Sequence, residues 1–388
     1  MLHGLPPAFD AVALGEGEEA VIQLGEYALG RRRLEEVSGI AYRGAGGRIE
    51  ETPVRRVANL DSMADPCYAP GIYPAMAGDE KLKLIMLDES RGCPYSCNFC
   101  FHPVKSGRDW RVRGAARVAD VMEMLSAETG SHVFRLAGSN PPPEHRRAIA
   151  EELIKRGSRF EYVSFGHTRS KNEDYARLRE SGCVSLFFGV ESGSQRVLDQ
   201  AANKHTNVAQ VRENLLRAKQ AGILTSASLI APMPFDDDAS LRETVELMAE
   251  TMPSGVSVYL PIVTPGTTWY KEAERFGIKF DGDPFLALLK YQVRFLMPPP
   301  LWDPLPYSIG GLSYQELVRK TAWVTEELEK RGVLTGMNDS LLLVARELGI
   351  EHGAVRGLNR KLFMTADMDG IQRVATEFNR KVREERGK

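Results

Sequence analysis

From Lys81 onward, apolar residues fall in short runs that alternate with stretches in which they recur every three to four positions. The runs at 82–88, 131–138, 160–167, 184–191, 223–231 and 256–263 read as buried strands. The periodic stretches at 115–128, 143–156, 172–181, 207–221 and 239–251 read as amphipathic helices. Segment 207–221 shows the logic: Asn207 can cap a helix, Val208, Val211 and Leu215 recur on one face, and Gly222 stops it. Alternation of this kind predicts a parallel α/β sheet.

The flanks differ. Residues 9–14 read as a strand, the apolar positions 20–29 as a helix, and Ile40–Tyr42 with Arg48–Glu50 as a hairpin around a glycine-rich turn. Linker character rises at Asp65-Pro66 and Ala69-Pro70-Gly71. After Thr267 the alternation fades, and the run from Leu296 to Tyr307 is too rich in proline for regular structure. Helices are expected at 313–331, opened by a Ser313/Glu316 capping box, at 340–348 and at 367–385. The expected units are 1–80 with its linker, the α/β unit 81–280 and a mainly helical extension, 281–388.

Composition narrows the class without naming it. The 388 residues are 43% apolar and 26% charged, enough to bury a large core. No apolar run approaches the ~20 residues that span a bilayer. A formal net charge of −2 gives no electrostatic footprint for nucleic acid. Five cysteines without a secretory signal point to a reducing, cytoplasmic setting.

Chemistry concentrates in Ser90-Arg91-Gly92-Cys93-Pro94-Tyr95-Ser96-Cys97-Asn98-Phe99-Cys100. Three soft thiolates this close suit one small iron–sulfur centre, and three rather than four leave one iron open. A disulfide reading is disfavoured by the compartment and the odd count. A zinc site would need a fourth ligand, for which His102 is the candidate. Phe99, just before the last cysteine, weighs against zinc and leaves it as an alternative. With Cys93, Cys97 and Cys100 it resembles the signature of the radical S-adenosylmethionine superfamily.

That resemblance implies an open six-stranded β/α barrel, a 4Fe–4S cluster on the three cysteines, and S-adenosylmethionine chelating the open iron. It also implies an external one-electron donor such as flavodoxin or ferredoxin, and a 5′-deoxyadenosyl radical that abstracts hydrogen from substrate. Chemistry in such sheets gathers at the carboxyl ends of the strands. At those ends the resemblance assigns Phe99 to the adenine and Gly138, Ser139 and Asn140 to the methionyl amino group. The position of the last three carries no Glu, which the family often has there. Arg169 is assigned to the methionyl carboxylate, Glu191 or Ser192 to the ribose within Gly189-Val190-Glu191-Ser192-Gly193-Ser194, and Pro232 to a turn flanking adenine or substrate.

Gly15-Glu16-Gly17-Glu18 and Asn59-Leu60-Asp61-Ser62-Met63 resemble the end of the cobalamin-binding domain in one large subfamily. The Asp-x-His-x-x-Gly segment that supplies a lower cobalt ligand is absent, and His3-Gly4 lacks its Asp and spacing. The expectation is that this chain alone does not hold cobalamin tightly and that residues 1–66 form a docking cap.

Cys183 reads as a buried apolar residue and Cys67 as a linker thiol. Tyr259, Trp269, Trp302 and Tyr307 can line a pocket or fill a core. The main functional expectation is a radical enzyme acting on a small molecule, with a short peptide left open, by rearrangement, dehydration, epimerisation or methylation. The alternatives are a cobalamin-dependent radical methyltransferase and a non-catalytic iron–sulfur or zinc protein.

Overall fold

The computed structural model describes residues 9–138, 140–284, 304–365 and 367–386. Three short strands, β1 (Ala11–Ala13), β2 (Ile40–Arg43) and β3 (Ile49–Glu51), form an antiparallel sheet against helix α1 (Glu18–Ala28). The expected hairpin is present, with Arg43 opposite Ile49. The core of this unit is small, built on Ala20, Val37, Ile40 and Tyr42.

The α/β unit begins at β4 (Ile85–Leu87), followed by the two-residue strands β5 (Ser90–Arg91) and β6 (Arg111–Val112), with α2 (His102–Ser106) between them. Next come α3 (Ala115–Thr129), β7 (Val133–Leu136), α4 (Pro143–Lys155), β8 (Glu161–Gly166), α5 (Tyr175–Glu180) and β9 (Cys183–Glu191). The short α6 (Gln195–Val197) and a π-type turn over 198–202 lead to α7 (Val208–Gln220), β10 (Leu224–Ile230), α8 (Asp238–Thr251) and β11 (Gly255–Tyr259). Six strands pair in parallel in the order β11-β10-β9-β8-β7-β4.

Side chains alternate across the sheet. Phe134, Leu136, Leu186, Phe188 and Leu229 enter the main core with the helices, and Cys183 is fully buried among them, as expected. Val133, Val163 and Val184 point the other way, into a second core with Leu343, Val344, Leu348, Phe378 and Val382. Those partners come from the C-terminal segment, which runs through α9 (Thr268–Lys271), the antiparallel pair β12 (Ile278–Phe280) and β13 (Tyr307–Ile309), α10 (Tyr314–Lys330), α11 (Asp339–Leu348), α12 (His352–Thr365) and α13 (Met368–Arg386). Helix α11 thus lies across the inner face of the sheet. Arg135, inward-facing on β7, meets the buried Asp339 at its first turn, 2.6 Å away.

Local signals set the ends. Asn207/Gln210 and Ser313/Glu316 both form reciprocal capping boxes. Strand β11 stops at Tyr259 rather than running to 263, since Pro261 cannot donate to a ladder. Helix α5 starts at Tyr175 rather than 172 because the Asp174 side chain caps the Arg177 N–H. Helix α12 and the β5–β6 pair escaped the sequence reading. Gly353 and Gly357 lower the helical signal of the first, and two-residue strands carry no period. Residues 296–303 of the proline-rich run, with Trp302, lie outside the described residues, as do His3, Gly4 and Ser139. No helix among the described residues is long and apolar enough to cross a membrane.

Candidate active site

The cysteine loop leaves the end of β4 between β5 and β6, where Ser90 pairs with Val112 and Arg91 with Arg111. Gly92 has a φ of +80°, and a Cβ there would run into the Asp109 carbonyl. The loop is pinned from the far side. The Asn98 N–H donates to the Ala202 carbonyl at 2.9 Å and its side-chain amide to Ala201 at 3.1 Å. Trp269 donates its backbone N–H to Asn98 and its indole N–H to Ala201. Asn203 donates to the Ser96 carbonyl at 3.0 Å. All four partners sit beyond β9, so the loop is positioned by residues about one hundred and more positions away.

Cys93, Cys97, Cys100 and Phe99 line one cavity of roughly 180 Å³ with Arg169, Glu191 and Lys204. Burial pushes the Cys93 thiol up and that of Cys100 to about 12, so a thiolate there depends on the positive charge of bound iron. Among the described residues no three Cys, His, Asp or Glu side chains converge on a single metal ion. A 4Fe–4S cluster takes one thiolate per iron and needs no such convergence. His102, the candidate fourth zinc ligand, lines the same cavity.

Arg169 stacks on Tyr95, with its guanidinium carbon 3.1 Å from the ring centroid. Its Nε and Nη1 are buried without a hydrogen-bond partner, leaving donors for a planar anion. Asn140 also lines the cavity, and its buried Oδ1 has no partner. The donor set therefore fits a three-thiolate cluster together with an amino-acid head group.

Glu191 is turned inward by a bulge. Ser228 pairs with Gly189 and the next residue, Leu229, with Glu191, which has a φ of +66°. Its carboxylate meets Lys204 Nζ at 2.5 Å and accepts from Ser228 Oγ at 3.4 Å. Burial pulls the Lys204 pKa down, but Glu191 and the Cys97 sulfur outweigh it and hold it above the ordinary lysine value. A Cβ on Gly189 would overlap both members of the pair. Phe99 packs 5.8 Å from Trp269, centroid to centroid, with Lys204 Nζ 5.9 Å from its ring.

Three sequence candidates are not brought to the cavity. Ser192 turns its hydroxyl to Thr244 and the Ser194 N–H. Gly138 is packed under Glu89 and Ser90. Pro232 follows a cis peptide after Ala231, whose carbonyl accepts from Thr321. Trp269 and Tyr307 are core residues, whereas Tyr259 is 38% exposed.

Two residues were missed. Glu89, fully buried at the end of β4, accepts the Gly138 N–H at 2.9 Å, and its other oxygen has no partner. Burial pushes its carboxyl up to about 7. It sits beside the strand end where the sequence lacks a Glu, but 49 positions upstream. His167 lines the cavity with Nε2 unpartnered, and burial followed by Arg146 and Arg169 keeps its imidazole neutral.

The Gly-Glu-Gly-Glu turn has a structural use. Glu16 pairs with Arg111 and lies 3.5 Å from Arg91, which also holds Glu18 at 2.6 Å. The small N-terminal sheet is thereby docked on the strands that bracket the cysteine loop. Burial raises the Glu16 pKa, but Arg111 and Arg91 outweigh it and leave it below the usual carboxylate range.

Residues 90–248 match the Radical SAM superfamily. An uncharacterised methyltransferase of Pyrococcus horikoshii is 26% identical over 273 residues, covering 69% of this chain and 58% of its own. The anaerobic magnesium-protoporphyrin IX monomethyl ester cyclase of Cereibacter sphaeroides is 29% identical over 276 residues, covering 66% of this chain and 43% of its own. The chain thus spans about half the length of these curated relatives. Among solved structures, the radical S-adenosylmethionine methyltransferase TsrM of Kitasatospora setae, with cobalamin and a [4Fe-4S] cluster bound, superposes with a TM-score of 0.68. It is 17% identical, and the match covers 95% of this chain and 77% of that one. The six-stranded sheet is the partial barrel of that fold, and residues 90–248 of the chain match the radical S-adenosylmethionine superfamily.

Proposed function

We propose that the chain reductively cleaves S-adenosylmethionine on a 4Fe–4S cluster held by Cys93, Cys97 and Cys100, using an electron from an external donor. The observation that carries this reading is the shared cavity: three thiols, an anion-free Arg169 and the Glu191–Lys204 pair at the carboxyl ends of one parallel sheet. When bound, cluster and S-adenosylmethionine supply one-electron cleavage of a sulfonium carbon–sulfur bond and the radical chemistry that follows. The chain's residues bind and orient. Arg169 takes the carboxylate, Glu191 a ribose hydroxyl, Phe99 the adenine face, and the sheet's inner surface keeps water from the reacting atoms.

Of the fates open to the substrate, methyl transfer has the better support, because a relative at 26% identity and the TsrM fold match are both methyltransferases. The described N-terminal residues do not fit a corrinoid by themselves: three short antiparallel strands and one helix around four buried side chains build no large apolar cleft. The test is anaerobic reconstitution followed by reductant and S-adenosylmethionine. Release of 5′-deoxyadenosine supports cleavage, added S-adenosylhomocysteine supports methyl transfer, and neither product from a cluster-loaded protein rejects both.

A further inference from the structure

A second cavity, roughly 540 Å³, lies at the outer edge of β11 between that strand, α10 and the connection before α11. It is within the ~300–1,000 Å³ range of ligand pockets. Strand β11 is the edge of the parallel sheet, and among the described residues the main-chain bonds on its outer side lie at its start. There the Val256 N–H donates to the Leu334 carbonyl and the Val256 carbonyl accepts from the Gly336 N–H, a parallel bridge opposite Thr335. Tyr259 points its carbonyl the other way, accepting from the Ala231 N–H beyond β10. By the alternation of a strand, Val258 therefore presents its N–H and carbonyl on the same outer side as Val256. After Gly336 the chain turns away toward α11, and the cavity opens beside Val258.

This cavity adjoins the cysteine-lined one. Ser257, in its wall, is the register partner of Ser228 on β10, which lines the first cavity. Neighbouring strands stand about 4.8 Å apart. Tyr259, the exposed last residue of β11, lines this second cavity.

We propose that this slot binds an extended peptide segment, which continues the edge where Leu334–Gly336 leaves it and so presents a peptide substrate to the neighbouring cavity. A compact small molecule could fill the apolar walls formed by Val258, Leu260, Val318 and Ala322. It would leave the Val258 main-chain groups without partners in register, whereas a strand satisfies them and places alternate side chains into the cavity. Val318, Thr321, Ala322 and Thr325 of α10 line the slot, so a strand that continues the edge runs along that helix. The peptide's role as substrate rests on the proposed function; its binding does not.

The test offers the anaerobically reconstituted full chain a degenerate library of acetylated, amidated hexapeptides, and identifies retained peptides by mass spectrometry. Retained peptides should bind at least tenfold more weakly to Val258→Pro, which removes the edge N–H, and to Ala322→Trp, which fills the wall. Methylating alternate peptide nitrogens should weaken binding to the unaltered protein by at least tenfold, a measurement that needs no variant to fold. Failure to retain any peptide, or equal binding of the methylated forms, overturns the proposal. Calorimetric titration with S-adenosylmethionine separates the two readings: peptide binding without S-adenosylmethionine binding leaves the slot standing and removes the proposed function.

Discussion

Lys204 Nζ lies 2.5 Å from Glu191 Oε1, with only 12% and 7% of the two side chains exposed, in the cavity that the cysteine loop lines. A charge pair taken out of water gains stability only while both members are present, and breaking one typically costs about 3–5 kcal/mol. The pair thus binds the end of β9 to the turn that holds Asn98 and Ser96.

Glu191→Gln should lower the unfolding free energy by about 3–5 kcal/mol and weaken S-adenosylmethionine by ~1.5–3 kcal/mol. Adding Lys204→Met should restore much of the stability and none of the affinity. Urea titration and calorimetry on the two variants check this. Because the Lys204 pKa is raised on folding, its contribution is complete below the ordinary lysine value and fades only as pH climbs through the raised one.

Cys93→Ala, Cys97→Ala and Cys100→Ala should each abolish the brown absorbance of the reconstituted cluster and cleavage of S-adenosylmethionine. Cys67→Ala and Cys183→Ala should keep both. Cluster loss from Cys183→Ala in a protein that still folds would reveal a fourth ligand and contradict an open iron.

Arg169→Met should weaken S-adenosylmethionine by about tenfold or more while leaving binding of its decarboxylated analogue unchanged. Arg169→Lys should recover little, because a lysine keeps the charge and loses both the fork and the stack on Tyr95. Equal loss for both ligands would show that the variant disturbs the loop instead of a carboxylate contact.

Glu16→Gln should loosen the N-terminal sheet by about 1.5–3 kcal/mol, read as faster hydrogen exchange in β1–β3 with the main sheet unchanged. The Glu16 pKa is depressed on folding, so the docking contact is intact above the ordinary carboxylate value and is lost as pH falls through the lower one.

Hydroxocobalamin incubated with the reconstituted protein should be removed by desalting. Stoichiometric retention of the corrinoid spectrum would overturn this and show that the chain holds a corrinoid by itself.

Much of this was legible locally. The six strands follow from apolar runs and the start of α7 from Asn207, and the proposed cluster ligands come from the cysteine spacing together with the resemblance that Phe99 carries. What the sequence could not show is pairing at a distance. Nothing near Glu16 announces Arg111, 95 positions on, and nothing near Gly138 announces Glu89. Asp339 reads as an ordinary first-turn residue until Arg135 is found beside it, 204 positions earlier. Ser192 looked as available as Glu191, because only the bulge at Val190 decides which of two adjacent side chains turns inward.

Helix α13 contacts the first strands of the α/β unit. The Lys83 N–H donates to Asn379 Oδ1 at 2.8 Å, and His132 hydrogen-bonds the Val382 carbonyl at 2.6 Å. During synthesis, the first strands of the sheet leave the ribosome long before those partners exist. Until α11 emerges, the inner faces of Val133, Val163 and Val184 lack Leu343, Val344 and Leu348, and until α13 emerges they lack Phe378 and Val382. Such sequence separation slows folding and prolongs the exposure of apolar surface. Nascent chains stalled before α11 are therefore the species a chaperone would be expected to hold.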